Sequence, residues 1–109
     1  MAAGADKEAR NDQNNRQYTP LHLAAGGGHE AVVQVLLAAG ANKEARQSEG
    51  YTPLHVATVA GRQEIMQVLL AAGAEKEARS HHQCTSLHLA AEEGLAMVEV
   101  LLAAGADKE

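Results

Sequence analysis

The sequence predicts an all-α repeat fold, an alpha-alpha solenoid of helix–turn–helix units joined by β-hairpin fingers. Two motifs recur in register, and a fixed period of this kind indicates a repeat architecture. A Thr-Pro-Leu-His string at 19–22 returns 33 residues later at 52–55 and, with Ser for Pro, at 85–88. A Val-Leu-Leu-Ala-Ala-Gly-Ala string tracks it at 35–41, 68–74 and 100–106. Composition agrees, because a chain that is 46% hydrophobic but only 2% aromatic must pack small side chains in thin layers.

The first helix of each unit is expected to begin at the recurring threonine. Thr19, Thr52 and Thr85 are good N-caps. Pro20 and Pro53 occupy the first helical position, where a missing N–H costs nothing. Each helix should run about two turns and stop at glycine, at 26–28, 61 and 94.

A second helix is expected in each unit, from about residue 30 to residue 39 in the first, with Gly40 as its C-terminal cap. It is apolar nearly all round, so it must be sandwiched between neighbours. Helices this short fall below the roughly 12 to 15 residues needed for stability in water, so stacking of units must stabilise them. The polar stretch 42–51 between units suits an exposed hairpin finger.

A unit with Thr-Pro-Leu-His-x-Ala at one helix start and Val-Leu-Leu-x-x-Gly-Ala at the next helix end resembles the ankyrin repeat. The resemblance implies stacked helix pairs, protruding fingers, and a concave face of finger tips and first helices that binds other proteins. It divides one domain, residues 1–109, into a partial repeat with the first finger (1–18) and repeats at 19–51, 52–84 and 85–109. The third repeat is one residue shorter. We expect a piece of a longer array.

Two expectations follow from comparing this sequence with the ankyrin pattern. The motif histidines should hydrogen-bond the motif threonine and neighbouring loop backbone rather than take part in catalysis: they are His22, His55 and His88. The finger position two residues before each threonine is usually glycine, as at Gly50. Gln17 and Gln83 stand at the equivalent positions, so they must tolerate the turn or reshape it.

Partner contacts are expected on the fingers and at the ends of the first helices. Tyr51 is the strongest anchor, with Tyr18 equivalent to it one repeat earlier. Arg46 and Arg79 align on the finger edge, and such a row favours an acidic ligand surface with an apolar centre. The full set of expected contacts is Arg16, Tyr18, Arg46, Ser48, Glu49, Tyr51, Val59, Ala60, Arg79, His81, His82, Cys84, Glu92 and Glu93.

Two alternatives to partner binding remain open. One is a structural spacer with no dedicated ligand. The other is a metal site at His81, His82 and Cys84, since imidazole and thiolate bind zinc, although a closed structural site needs four ligands. No nucleophile elbow or phosphate-binding loop occurs, so we expect neither an enzyme nor a bound cofactor.

The net charge limits the classes of molecule that the protein can bind, and the cysteine count indicates the compartment in which it works. A formal charge of -5 has the wrong sign for binding a phosphate backbone, so nucleic acid is excluded as a main partner. No apolar run approaches the roughly 20 residues that span a bilayer, so no membrane association is expected. The single cysteine, Cys84, suits a reducing, cytoplasmic setting. Terminal units without polar caps predict end-to-end self-association.

Overall fold

The structure, a computed structural model, describes residues 17–105 and within them contains six helices in three pairs and no strand. Arg16, with the rest of the partial repeat at 1–16, lies outside the described residues, as do residues 106–109. The helices are α1 (Pro20–Gly27), α2 (Glu30–Ala38), α3 (Pro53–Val59), α4 (Gln63–Ala71), α5 (Ser86–Glu93) and α6 (Leu95–Ala103).

Each first helix begins as expected, at a threonine N-cap. The Thr19 hydroxyl accepts the His22 N–H at 3.3 Å, and Nδ1 of His22 accepts the Thr19 N–H at 3.1 Å. The same reciprocal capping box forms at the start of α3, at Thr52, and at the start of α5, at Thr85. Two orphan backbone donors are thereby satisfied at each helix start.

Glycine ends α1 within the run 26–28, as expected. The helix includes Gly26 and Gly27, and Gly28 ends it with a φ of 80°. Glycine at 26 allows close packing of α3, because a Cβ added there would meet the Val56 side chain at 3.0 Å. α2 ends at Ala38, one residue before the expected end, and Gly40 follows with the left-handed φ of 86° that its predicted capping role requires.

The helices stack in two layers. α1, α3 and α5 form one layer, α2, α4 and α6 form the other, and each pair packs together across the two layers. The core between the layers is aliphatic, with no aromatic side chain. Its largest fully buried apolar side chains are Leu21, Leu54, Met66, Leu69 and Leu101.

The expectation that every second helix is sandwiched fails for α2. Val33 and Leu36 are its buried residues, while Val32 is 49% exposed and Val35 is 52% exposed. Among the described helices α2 packs on α1 and α4. Within residues 17–105, part of its apolar circumference is therefore uncovered.

The second and third fingers, which lie within the described residues, are tight turns rather than strand hairpins. In the second finger the Gly50 N–H donates to the Gln47 carbonyl at 2.9 Å, and the Gln47 N–H donates to the Tyr51 carbonyl at 3.0 Å. The third finger repeats both bonds through Ser80. So few backbone bonds do not make a strand ladder, which corrects the predicted β-hairpins.

The backbone of the fingers confirms the unusual role of two glutamines. Gln17 and Gln83 have φ of 57° and 64°, in the left-handed region where Gly50 has φ of 82°. Gly50 has a second constraint, because a Cβ there would lie 2.8 Å from the backbone nitrogen of His81. That nitrogen donates to the Glu49 carbonyl at 3.0 Å, so adjacent fingers touch through their backbones.

Candidate functional site

The second and third fingers are each held closed by one buried polar side chain. In the second finger the Gln47 amide oxygen accepts the N–H groups of Glu49 and Tyr51, at 2.5 and 3.1 Å. In the third finger the Ser80 hydroxyl takes this place for His82 and Cys84, both at 3.2 Å. Sequence analysis missed these two residues, although their equivalence 33 positions apart was a usable signal.

The motif histidines link each repeat to the next finger, as expected. Because Nδ1 of His22 accepts a backbone N–H, its Nε2 carries the proton and donates to the Tyr51 carbonyl at 2.8 Å. His55 likewise donates to the Cys84 carbonyl at 2.9 Å. These bonds fix the finger bases that carry Tyr51 and Cys84 against the preceding helix.

Burial lowers the pKa of His55 below its ordinary value, and the positive charge of Arg46 lowers it further. The hydrogen bond to the Cys84 carbonyl acts in the opposite direction but does not reverse the shift. The imidazole is therefore kept neutral, in the tautomer that both of its bonds require. A ring in this state is a structural group rather than a catalytic base.

Arg46 and Arg79 form the arginine row, and their guanidinium groups donate to backbone carbonyls of the fingers. Nη1 of Arg46 donates to Gly50 in its own finger at 2.7 Å and to the Arg79 carbonyl of the next finger at 2.6 Å. Arg79 donates to Gln83 at 3.1 Å. Arg46 thus ties two fingers together and helps to fix their spacing.

A pocket of about 200 Å³ opens between the fingers and α3. Finger residues supply two aromatic rings and a carboxylate, and α3 supplies an aliphatic wall. We call it the tyrosine pocket; it is lined by Tyr18, Glu49, Tyr51, Val56, Val59 and Ala60. The Tyr51 ring is held in place by stacking on His55, with ring centroids 5.4 Å apart and planes 10° apart.

The tyrosine pocket brings together part of the expected contact set: Tyr18, Glu49, Tyr51, Val59 and Ala60. The other expected contacts among residues 17–105 lie outside it: Arg46, Ser48, Arg79, His81, His82, Cys84, Glu92 and Glu93. The sequence analysis missed Val56. Its signal was its place in the motif, at the variable position between His55 and Ala57. Contact of a partner with any of these residues stays a prediction.

The third finger exposes the residues considered for a metal site. His81 and His82 are exposed, while Cys84 is a half-buried free thiol whose Sγ lies 3.9 Å from the His82 carbonyl oxygen. Among residues 17–105, no group of three or more His, Cys, Asp or Glu side chains could hold a metal ion. In the same part of the chain, no helix has the length and apolar character to cross a membrane.

Comparison with known families covers almost all of the chain. A family model described as ankyrin repeats in three copies matches residues 1–80, and a single ankyrin repeat matches residues 82–109. No curated protein matches the chain. The matched segments include every helix described above.

Proposed function

The chain belongs to the ankyrin repeat family, whose repeats are generally protein-interaction modules, and from this premise we propose that it binds a partner protein through the tyrosine pocket. The observation that carries the proposal is the convergence of two finger-base tyrosines and the exposed end of α3 on one concavity. The partner would lie along the concave face and place one side chain in the pocket. The protein acts as a scaffold, not as an enzyme.

The dimensions of the pocket favour a side chain over a small molecule. Its volume of about 200 Å³ is below the roughly 300 to 1,000 Å³ of small-molecule sites. Tyrosines combine large contact area with little flexibility, and Tyr51 is already held against His55, so little side-chain entropy is lost on binding. Tyr51 is therefore the proposed anchor.

The experiment compares proteins retained from a cell lysate by the wild type and by four single variants, with quantification by mass spectrometry. Tyr51→Ala should cost about 2 kcal/mol of binding, whereas Lys43→Ala, outside the pocket, should cost under about 0.5. Val59→Gln and Val32→Gln form a matched pair, since these valines are 44% and 49% exposed but only Val59 lines the pocket. Circular dichroism checks that every variant is folded.

The proposal requires a set of proteins that the wild type, Lys43→Ala and Val32→Gln retain and that Tyr51→Ala and Val59→Gln lose. Equal losses in Tyr51→Ala and Lys43→Ala would refute the assignment of the binding face. Retention of nothing above background by the wild type would favour the alternative, a structural spacer with no dedicated ligand.

We also propose end-to-end self-association, supported by apolar side chains on the outer helices. Leu95 is 72% exposed and Leu102 is 39% exposed on α6, while Val32 and Val35 are exposed on α2. His88, unlike His22 and His55, is exposed, and within residues 17–105 its Nε2 has no hydrogen-bond partner. The first and third repeats thus carry apolar surfaces of the kind that pack between repeats inside the array.

A reducing, cytoplasmic setting completes the proposal. It is supported by the single cysteine, Cys84, whose thiol is free and half-buried in the third finger. A thiol at this position would be open to oxidation or mixed disulfides in an oxidising compartment. Alkylation of Cys84 in intact cells, followed by mass spectrometry, checks this: a thiol found already oxidised would contradict it.

A further inference from the structure

The charge of the tyrosine pocket differs from that expected from the arginine row. Arg46 and Arg79 do not line the pocket, and both donate to finger carbonyls. Among the described residues that line the pocket, Glu49 supplies the carboxylate; it is half-buried and accepts the Gln47 amide N–H at 3.4 Å. A carboxylate beside two tyrosine rings makes this concavity attractive to a cation.

The walls of the pocket suit a long side chain with an apolar stem and a charged end. Val56, Val59 and Ala60 of α3 form the aliphatic wall, and Glu49 and the tyrosines form the finger side. Lysine and arginine bury their methylene stems on apolar surface while the charged head stays at a polar edge. An aspartate or glutamate in the same place would meet the Glu49 carboxylate and would be repelled.

The next repeat extends this negative charge along the same layer. Glu92 and Glu93 end α5 at the positions that Val59 and Ala60 hold at the end of α3, 33 residues earlier, and α5 packs directly on α3. Both carboxylates are exposed. They lie at a helix C-terminus, where negative charge opposes the macrodipole and brings no local stabilisation.

We infer that the tyrosine pocket receives an arginine or lysine side chain of the partner protein, and that Glu92 and Glu93 attract further basic residues of the same segment. This inference rests on the proposed function and names the partner chemistry: an extended basic segment with an apolar flank. It replaces the acidic ligand expected from the arginine row. The net charge of -5 favours association with such a segment at low salt.

The experiment selects random twelve-residue peptides, displayed on phage, against the wild type and against Tyr51→Ala, Glu49→Gln, Glu92→Gln/Glu93→Gln and Glu99→Gln. Glu99 is exposed on α6, outside the pocket, so its variant controls for net charge. The best peptide is then synthesised with its basic residue and with citrulline or glutamine in its place. Fluorescence anisotropy measures both at 50 and 300 mM salt.

Peptides selected on the wild type should be enriched in arginine or lysine, and the neutral replacement should weaken binding by about tenfold or more. Glu49→Gln should abolish most of that difference, Glu92→Gln/Glu93→Gln should reduce the salt dependence, and Glu99→Gln should change neither. Peptides that require Tyr51 but are neutral or acidic would overturn this inference and leave the proposed function standing. Peptides that bind Tyr51→Ala as well as the wild type, or no enriched peptide at all, would overturn both.

Discussion

His55 performs two structural tasks with one neutral imidazole. Nδ1 accepts the Thr52 N–H at 3.1 Å and completes the cap of its own helix, while Nε2 reaches the Cys84 carbonyl 29 residues further along the chain. His88 makes the same cap but is exposed and lacks the second bond within the described residues. The two positions therefore separate the capping contribution from the contribution between repeats.

Replacing these two histidines by leucine should measure the bond between repeats. His55→Leu leaves the Thr52 N–H and the Cys84 carbonyl without their partner, so unfolding should become easier by about 3 kcal/mol. His88→Leu loses the cap alone and should cost about 1 kcal/mol. Urea unfolding followed by circular dichroism gives both values, and equal costs would contradict a stabilising bond between repeats.

The lowered pKa of His55 makes the free energy of unfolding depend on pH. The unfolded chain binds a proton near its ordinary pKa of about 6.5, whereas the folded chain takes it up only at lower pH. Stability from this group is therefore complete above about pH 6.5 and declines as the pH falls below it. Urea titrations at pH 8, 7, 6 and 5 should show this decline, and a decline just as steep in His55→Leu would exclude His55 as a cause.

At the scale of the element, the finger turn demands a left-handed residue, and the sequence meets this demand in two ways. Gly50 enters the region without a side-chain clash and leaves room for the His81 backbone. Gln83 adopts it with φ of 64° while its side chain is exposed. A non-glycine residue pays roughly 1 kcal/mol in this conformation, so the third finger carries strain that the second does not.

Opposite substitutions at these equivalent positions should have opposite effects. Gly50→Ala adds a Cβ close to the His81 nitrogen in a left-handed turn and should destabilise the fold by about 2 kcal/mol. Gln83→Gly removes strain but gives the unfolded chain more freedom, so a net gain of about 0.5 kcal/mol is expected. Differential scanning calorimetry should show melting temperatures displaced in opposite directions, and a shift of the same sign in both would refute the turn argument.

At the scale of the whole molecule, the described stack has a well-packed central repeat, and its first and third repeats expose apolar side chains. Met66 and Leu69 of the central helix α4 are fully buried, whereas Leu95 of α6 and Val35 of α2 remain largely exposed. Stacked repeats derive their stability from contacts with neighbours. In the proposed self-association, a second copy of the chain would cover these exposed side chains.

Self-association should therefore appear at high protein concentration. Sedimentation velocity from 10 µM to 1 mM should show a sedimentation coefficient that rises with concentration. Leu95→Gln should shift the rise to higher concentration, because it removes the most exposed large apolar side chain of α6. Val59→Gln, in the tyrosine pocket, is the matched control. A strictly monomeric profile at 1 mM would contradict the proposal.

Sequence reasoning could predict what depends on periodicity and local chemistry. The repeated motif located the helix starts, and aligning the fingers placed Gln17 and Gln83 at the glycine position of the turn, where both tolerate its left-handed backbone. Sequence reasoning failed where a contact depends on which groups lie close together in the folded chain. The side chain of Val56 on α3 packs against Gly26, and the Arg46 guanidinium donates to two backbone carbonyls; no side-chain pattern reveals either contact.

The candidate site shows the same division. Five of its lining residues could be predicted, because two tyrosines at finger bases, two apolar residues at a helix end and Glu49 in a finger are visible in the aligned repeats. The charge of the pocket could not, since it depends on where the arginine side chains point. A row of like residues in sequence fixes their spacing but not the atoms that they contact.

The hydrogen bond from each motif histidine to the following finger gives the array a direction. The histidine that caps one repeat donates to a carbonyl that comes later in the chain, from Tyr51 for the first repeat and from Cys84 for the second. Local opening that begins in the third finger therefore uncouples His55 at once, while His22 keeps its partner until the second finger also opens. Amide protons should then exchange fastest at Thr85, more slowly at Thr52 and most slowly at Thr19, a gradient in which the array frays from its C-terminal side inward.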